Sequence, residues 1–369
     1  MQALDPSGTY PDEAVVDALV GRYGTRTMSY RYDRLNELND YVEPIDYVLG
    51  GQVSNNALAD IKRTAKFTML DRGGINFLKD RIRPWACLAM PDGGAVEWPL
   101  GVFLLATPDR DLDEHGVVRR EVAAYDQLLA LQDDKVTDRY SIAEGVAYTT
   151  AIATLVFAFA ASIIPSSLTL PTAMEWEPGT TKLRILNDLL GAINYESAFF
   201  NEQGTLICRP YQSPADRSVE YSYSADEASV ITGGVGQTLD LFDVHNKWVL
   251  VKSEPDLPPL VGTYTNTSPS SPTSTVSRGR VIVDFRDETD AADQATIDAK
   301  AERLAFAASQ VYENIKFTTA AMPMHSNADV IGLNVPGLAI DAKYSEHTWD
   351  LPLVHGARMS HTVRRVVSI

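Results

Sequence analysis

The longest stretch without a charged residue decides whether this chain is tied to a membrane. No charge occurs between Glu144 and Glu175, and residues 145–164 read GVAYTTAIATLVFAFAASII. About twenty apolar residues suffice to cross a bilayer as a helix. However, three threonines interrupt the run, Pro165 ends any helix, and the flanks are acidic where Lys or Arg usually bracket a span. The pattern therefore favours a buried helix over 145–164, with no stable membrane insertion.

Two aromatic residues make this prediction specific. A buried helix over 145–164 would place the rings of Phe157 and Phe159 in a core, so an acidic substitution at either position is expected to destabilise the protein by several kcal/mol. The segment also lies too late in the chain to be a signal peptide. The acidic start MQALDPSGTYPDEAV lacks the basic and apolar regions that such a peptide needs.

Composition excludes some classes of protein. A chain of 369 residues with 45% hydrophobic content is expected to fold into two or more domains with real cores. Its net charge of −17 counts against nucleic-acid binding through phosphate neutralisation and against docking on anionic lipid. The two cysteines, Cys87 and Cys208, lie far apart in apolar runs, which favours buried thiols over a disulfide or a zinc site.

The pattern of short runs and turns divides the chain. Residues 1–24 form an N-terminal arm with a short helix that starts near Pro11. Residues 25–137 contain short runs of β-branched and aromatic residues separated by turn signals, which indicates a strand-rich domain. Within it, Asp92-Gly93-Gly94 lies between two apolar runs and predicts a hairpin.

Residues 138–235 show a helical period and predict a small α/β domain. One face of its second helix carries four apolar side chains, and Thr180 or Thr181 is expected to cap it. The four are Leu183, Leu186, Leu190 and Ile193. A strand, the turn NEQG and a second strand follow. This helix and the sheet face carrying Phe199 and Leu206 are expected to cover the 145–164 helix.

Residues 236–369 are again strand-rich. The Ser/Thr/Pro tract at 262–279 has little to bury and predicts an exposed flexible loop within the domain, with an interdomain linker as the alternative. A helix is predicted at 291–309, because apolar positions share one face. These are Ile297, Ala301, Leu304 and Ala308. In the last strand Met359, His361 and Val363 alternate with polar residues, so one face is expected to be covered.

Two motifs superficially resemble ligand sites. Asp109, Asp111 and Asp113 are spaced as in a calcium loop, but Glu114 occupies the sixth position, where glycine is needed. An acidic hairpin turn is therefore preferred. The stretch GGVGQT at 233–238 lacks the Lys-Ser/Thr ending of a phosphate loop, and a hinge between domains is the preferred interpretation.

Three histidines near the C-terminus form the remaining candidate for chemistry. His347, His355 and His361 are spaced by eight and six residues, unlike the close spacing of metal ligands on helices or turns. On adjacent antiparallel strands they could meet around a metal, although histidines on a strand face or surface are preferred. The acidic residues are scattered, so no acid/base pair is identified. We therefore predict no catalytic, cofactor-binding or metal-binding residues.

Several blocks, taken in their order along the chain, carry a resemblance. They include RIRPWACLAMPDGGAVEWPLGVFLLATPDRD, MEWEPGTTKLRILNDLLGAINYESAFFNEQGTLICRPY, FDVHNKWVLV, AERLAFAASQVYENIKF, VPGLAIDAKY, HTWDLPL and ARMSHTVRRVV. In this order they resemble the baseplate hub, or tail hub, family among the minor tail proteins of long-tailed bacteriophages. The resemblance spans the chain from about residue 25, and it depends on order and spacing more than on any single motif.

The resemblance implies a fold and an assembly. The class would be α+β and mainly β, with tail-tube-like β-barrel domains at 25–137 and 236–369 and the α/β domain between them. Three such subunits would form a homotrimeric ring that closes the distal end of the tail tube and matches its sixfold symmetry. The expected partners are the distal tail ring protein, the tape-measure protein and other tail-tip or fibre proteins.

Further expectations concern location and DNA. The protein would be made in the host bacterial cytoplasm and act in the virion, at the tail tip or baseplate. Phage DNA would pass without specific binding, and part of the acidity would line the channel. The chain ends after its last strand, without the cell-wall-degrading or receptor-binding extension of many hub proteins. Those functions are therefore expected in other proteins.

Two other functions stay open at this point. One is the neighbouring ring protein of the tail tip, which no residue excludes. The other is a cell-wall or polysaccharide hydrolase that uses a carboxylate pair within the strand-rich domains. The structural role is preferred, since the sequence shows no constellation typical of an enzyme.

Overall fold

The computed structural model confirms that the chain is mainly β with a smaller helical content. It describes residues 1–106, 108–112, 114–226, 229–239, 242, 244–254, 257–287, 291–310 and 313–366. The helices are α1 (Asp12–Leu19), α2 (Leu128–Asp133), α3 (Tyr148–Leu155), α4 (Lys182–Ala192), α5 (Thr275–Arg278) and α6 (Gln294–Gln310), with a 3₁₀ turn at Pro336–Leu338.

Strands occur in every part of the chain. The first group is β1 (Met28–Leu35), β2 (Tyr41–Ile45), β3 (Val48–Asn56), β4 (Arg63–Leu70), β5 (Arg81–Ala89), β6 (Ala95–Pro99), β7 (Phe103–Leu105), β8 (Asp111–Leu112) and β9 (Val118–Tyr125). The second group is β10 (Tyr140–Ile142), β11 (Ala161–Ile163), β12 (Met174–Trp176), β13 (Phe199–Phe200), β14 (Leu206–Cys208), β15 (Tyr221–Ser224) and β16 (Gly236–Leu239). The third is β17 (Lys247–Glu254), β18 (Leu257–Thr265), β19 (Val283–Asp287), β20 (Glu313–Ala320), β21 (Val330–Val335), β22 (Ile340–Pro352) and β23 (Arg358–Arg365).

One large sheet joins the two ends of the chain. Its main path runs β16-β20-β23-β22-β3-β4-β9-β7-β5-β1-β2, and four further strands pair alongside this path. The junction is the antiparallel pair β3–β22, in which Asn55 lies opposite Trp349. The two end strands of this path, β16 and β2, do not pair with each other, so the described residues form no closed barrel. The two-barrel layout and the domain boundaries 25–137, 138–235 and 236–369 remain predictions.

The main core lies on one face of this sheet. Along β4 and β20 every second residue is buried, as expected for a sheet with one covered face. Phe67 contacts the rings of Tyr32 and Phe103 edge-on, each with ring centroids 6.0 Å apart. Burying such a side chain contributes about 1.5–3 kcal/mol. The hairpin predicted at Asp92–Gly94 joins β5 to β6, and Gly93 adopts a φ of 88° there.

The buried helix predicted over 145–164 is largely wrong, because α3 covers only Tyr148–Leu155. Beyond it, β11 pairs in parallel with β14. Here the backbone forms hydrogen bonds to a distant strand instead of hydrogen bonds within a helix. The local sequence pattern contains no information about that strand. Phe157 is 84% exposed, which contradicts its predicted burial. Phe159 packs against Phe200 with ring centroids 5.7 Å apart. No helix within the described residues is long and apolar enough to cross a membrane.

The second helix of this unit forms as predicted. All four residues of its apolar face are buried in a core shared with α3. The hydroxyl of Thr181 accepts a hydrogen bond of 3.1 Å from the Arg184 N–H, so Thr181 is the cap. The strands β13 and β14 follow, joined by the predicted turn at 201–204. The unit therefore has its own core beside the large sheet.

A third unit consists of β17, β18, β19 and helix α6. The helix begins at Gln294, three residues later than predicted, and buries Ile297 and Ala301 against the sheet. It approaches β18 so closely that a Cβ on Gly262 would lie 2.4 Å from the Ile297 carbonyl oxygen. The structure thus divides residues 236–369 between this small sheet and the large one.

The Ser/Thr/Pro tract at 262–279 is only in part the exposed loop that composition predicts. Gly262–Thr265 belong to β18, and Asn266, Thr273 and Ser274 are fully buried. The Asn266 amide donates a 2.9 Å hydrogen bond to the Ser271 hydroxyl, and Ser274 caps α5. Short polar side chains satisfy one another and the nearby backbone here, so their burial costs little.

The two phenylalanines after α3 give a direct test of the shortened helix. We expect Phe159→Asp to destabilise the protein by about 1–3 kcal/mol, since it replaces a half-buried ring that packs against Phe200 with a carboxylate. We expect Phe157→Asp to change stability by less than about 0.5 kcal/mol, because that ring is exposed. Urea unfolding followed by circular dichroism measures both, and equal losses would contradict the described helix end.

Candidate functional site

The structure places one residue of the acidic motif and the second half of the glycine-rich stretch in strands. Asp111 lies in β8, which pairs with β9 in a hairpin, as the acidic-turn interpretation predicts. Asp113, the third residue of the calcium-like spacing, lies outside the described residues. The predicted hinge at 233–238 is wrong in its second half, since Gly236–Leu239 form β16 and pair with β20.

The three C-terminal histidines do not meet. His355 contacts the Met28 carbonyl through Nδ1, at 3.1 Å. His347 has no hydrogen-bond partner for either ring nitrogen among the described residues, and burial, with the nearby Arg364, lowers its pKa to about 4. His361 lies on the buried face of β23, as its alternation predicted. Its neighbours are two residues that the sequence analysis did not select, His325 and Glu346.

His325, Glu346 and His361 form a fully buried group, here called the His–Glu–His cluster. Both imidazoles contact the same carboxylate: Nδ1 of His325 lies 2.5 Å from one Glu346 oxygen, and Nδ1 of His361 lies 2.6 Å from the other. The remaining ring nitrogens are also occupied. His325 Nε2 contacts the Tyr223 hydroxyl at 2.6 Å, and His361 Nε2 contacts the Thr319 hydroxyl at 2.9 Å.

Four segments of the chain supply this cluster. Tyr223 comes from β15, Glu346 from β22 and His361 from β23, while His325 lies in the segment between β20 and β21. That segment also carries Asp329, whose carboxylate accepts a 2.7 Å hydrogen bond from the Ser326 N–H and lies 3.5 Å from His325. The cluster thus ties parts of the large sheet that are distant in sequence.

The two histidines of the cluster differ in pKa and therefore in protonation. Burial opposes the charged form of His325, but the carboxylates of Glu346 and Asp329 outweigh it and raise the pKa of His325 to about 9. Burial lowers the pKa of His361, since its single carboxylate contact does not compensate. Burial alone would raise the pKa of Glu346, yet the two histidines hold it below its usual value. At neutral pH the cluster therefore contains one imidazolium, one neutral imidazole and one carboxylate.

The donor types suit zinc, but the geometry suits hydrogen bonds. The candidate ligand atoms all lie within 4.8 Å of one another. Ligands of a tetrahedral zinc ion, each about 2.0–2.1 Å from it, would lie roughly 3.3 Å apart. The nitrogen–oxygen distances of 2.5 and 2.6 Å are much shorter, and every ring nitrogen has a partner. The cluster is therefore a closed hydrogen-bond network.

A second buried ion pair joins the small α/β unit to the large sheet. The Arg63 guanidinium on β4 lies 2.5 Å from the Glu202 carboxylate in the 201–204 turn. The same carboxylate oxygen accepts a 2.6 Å hydrogen bond from the Ser326 hydroxyl, one residue from His325. Trp349 lies beside Arg63 and donates from its indole nitrogen to the Ser326 carbonyl at 2.7 Å. The segment at 325–329 therefore connects both polar centres.

One sequence signal could have identified Glu346. Along β22 a period of two from the buried Tyr344 places Glu346 on the core face, where a carboxylate needs a partner. The period of two does not predict the burial of Trp349. A register shift between Glu346 and Thr348 changes which residues of β22 face the core. His325 lies outside any strand and carries no comparable signal.

The fold is that of phage tail proteins. No protein-family model matches the sequence, and no curated protein matches it. Among solved structures, a tail protein from Neisseria meningitidis aligns with a TM-score of 0.64 at 10% identity, over 91% of this chain and 97% of that one. The 43 kDa tail protein of prophage MuSo2 from Shewanella oneidensis aligns with a TM-score of 0.61 at 10% identity, over 91% and 98%. The resemblance seen in the sequence is thus confirmed at the level of fold.

A similar fold occurs in a protein complex from Francisella. A chain of the Francisella PdpA–VgrG complex aligns with a TM-score of 0.55 at 9% identity, over 94% of this chain and 59% of that one. Nearly all of this chain therefore corresponds to part of that longer protein. At such identities the similarity concerns fold alone.

The shared carboxylate of the His–Glu–His cluster can be tested by substitution. We expect Glu346→Ala to destabilise the protein by about 3–5 kcal/mol, because it leaves a buried imidazolium without its counter-charge. Glu346→Gln, which keeps the shape, should cost less. The exposed Glu121→Ala serves as control and should cost at most about 1 kcal/mol. Urea unfolding measures all three, and a neutral Glu346→Ala would contradict the described network.

The raised pKa of His325 predicts how stability changes with pH. The folded state binds this proton more tightly than the unfolded state, so the contribution is complete below pH 6.5 and is lost as the pH rises through about 9. We expect His325→Gln to flatten this alkaline decline in unfolding free energy, whereas the exposed His115→Gln should leave it intact. An identical pH profile for both variants would count against the charged His325.

Proposed function

We propose that this protein is a structural component of a bacteriophage tail, which forms a trimeric hub ring at the distal end of the tail tube. The ring would join the tube to other tail-tip proteins. The observation that carries the proposal is the fold itself: one sheet, built from both ends of the chain, that matches tail proteins over nearly the full length of both chains.

The two ends of the large sheet support assembly into a ring. Within the described part of the chain, its terminal strands β2 and β16 each pair on one side only, and they expose apolar residues. Tyr41 is 60% and Val42 44% exposed on β2, and Leu239 is 57% exposed on β16. Open edges of this kind invite pairing with another chain, and pairing β2 of one copy with β16 of the next is a head-to-tail contact that can close a ring.

Trimeric symmetry would follow from the two parts of the sheet. The strands on either side of the β3–β22 junction come from the two regions predicted as tube-like domains. Three copies would present six such regions around an axis, which suits a sixfold tube. The partners would be the distal tail ring protein, the tape-measure protein and other tip or fibre proteins. The PdpA–VgrG likeness supports this, as that chain too belongs to an assembly.

The geometry gives little support to the hydrolase alternative. The His–Glu–His cluster is the group of the described residues that most resembles a catalytic constellation, but all three side chains are buried. A substrate could not reach the carboxylate without opening the core, and both of its oxygens already accept hydrogen bonds. This arrangement stabilises the sheet, and we assign it a structural role.

A reconstruction of the assembled tail tip tests the proposal. We expect three copies around the tail axis, each with its β2 edge beside the β16 edge of the neighbouring copy. Six copies in the ring, or a position away from the axis, would overturn the proposal. The free protein is a poorer test, since contacts that form on a template need not close a ring in solution.

Edge variants make the same test without a high-resolution map. In a phage that carries Val42→Asp together with Leu239→Asp, we expect fewer complete tails, because acidic side chains would then meet at the edge-to-edge contact. Phe157→Asp is the control, as it changes an exposed apolar residue of the small unit. Electron microscopy counts the tails, and equal counts for the two variants would argue against this contact.

A further inference from the structure

The outer face of the large sheet differs in charge from the rest of the protein. From β16 to β9, seven adjacent strands place alternate residues away from the core, and the strand registers make these one continuous surface. At about 4.8 Å per strand the surface is roughly 29 Å wide. We call it the polar sheet face.

Cations outnumber acids on the polar sheet face. The cationic residues are Lys66, Arg119, Lys316, Arg358 and Arg364, and the acidic ones are Glu121 and Asp350. The net charge of this face is therefore +3 on a chain whose net charge is −17. The acidity that composition revealed lies elsewhere on the molecule.

The two acids of this face are already engaged by their neighbours. The Glu121 carboxylate lies 3.1 Å from the Lys66 ammonium and accepts a 2.6 Å hydrogen bond from the Thr68 hydroxyl. Asp350 accepts hydrogen bonds from the Ser360 hydroxyl and the Gln52 amide, at 3.1 and 3.2 Å. The Lys66 ammonium offsets the charge of Glu121, whereas Asp350 keeps its charge and is held in place by two neutral donors.

Two of the cations remain available. Lys316 on β20 and Arg358 on β23 are exposed, and neither has a hydrogen-bond or ion-pair partner among the described residues. The neighbours on this face are small hydroxyl and amide side chains. They are Gln52, Ser54, Thr64, Thr68, Asn314, Thr318, Thr348, Ser360 and Thr362. Lys, Arg and these polar residues are the side chains that contact phosphate and sugar in protein–DNA complexes.

We infer that the polar sheet face contacts the phosphate backbone of double-stranded DNA without reading its sequence. The inference rests on the proposed function together with the expectation from the sequence resemblance that phage DNA passes through the ring, and it assigns the surface that meets the DNA. It reverses the expectation of an acidic channel lining. The rest of the chain repels DNA, so the contact is weak, which suits a surface past which DNA must slide.

Binding of a short fluorescein-labelled DNA duplex, followed by fluorescence anisotropy, tests this inference. At low ionic strength we expect weak binding by the unmodified protein, with an affinity that falls steeply as salt is added. Lys316→Glu with Arg358→Glu should weaken binding at least about tenfold and reduce the log–log salt slope by about two, because two phosphate contacts are lost.

A matched control separates this face from net charge. Lys79→Glu with Lys135→Glu changes the total charge equally, at two exposed lysines outside the face, and should leave affinity within about twofold. The thermal midpoints of both variants are recorded first, so that misfolding is not read as lost binding. Equal weakening by the two pairs would overturn the inference.

Two other outcomes would also overturn it. One is the absence of measurable DNA binding at low ionic strength. The other is competition by polyglutamate that equals competition by unlabelled duplex at the same charge concentration, which would assign the face to an acidic protein surface. In either case a reconstruction that places three copies on the tail axis would leave the proposed function standing.

Discussion

One buried carboxylate fixes how the C-terminal strands of the large sheet are arranged. Glu346 joins His325 to His361 through hydrogen bonds of 2.5 and 2.6 Å, in an interior where an unpaired charge would cost several kcal/mol. Because the three residues belong to different segments, their contact holds β22, β23 and the segment before β21 in one arrangement. Apolar packing supplies most of the stability. The network lowers the free energy of this strand arrangement relative to arrangements in which its buried groups would be unpaired.

The polar centres also set how the units of the protein meet. Glu202 belongs to the small α/β unit, yet its carboxylate pairs with Arg63 on the large sheet and accepts a hydrogen bond from Ser326 beside His325. Both buried charges are satisfied only in this docked arrangement. The sheet can thus serve as a scaffold whose two open edges keep a fixed separation, which assembly into a ring requires.

The two faces of the sheet have separate roles. The inner face buries the aromatic core and the charged network, and the outer face is polar with a net charge of +3. A period of two along each strand produces this division. Overall composition conceals it, because the net charge of −17 belongs to the whole chain. The surface that we propose meets DNA and an interior that fixes the fold therefore lie on opposite faces of the same strands.

The sequence by itself determined those features that depend on neighbouring residues. The hairpin at Asp92–Gly94, the apolar face of α4 and a threonine cap at 180 or 181 follow from local turn chemistry and helical period, and the structure selects Thr181. Tertiary structure decided the rest: the end of α3, the burial of Asn266, Thr273 and Ser274 in the Ser/Thr/Pro tract, and the meeting of His325 with Glu346. Each of these depends on a partner far away in the chain. Such a contact produces no periodic pattern in the sequence around either residue, so local reasoning cannot predict it.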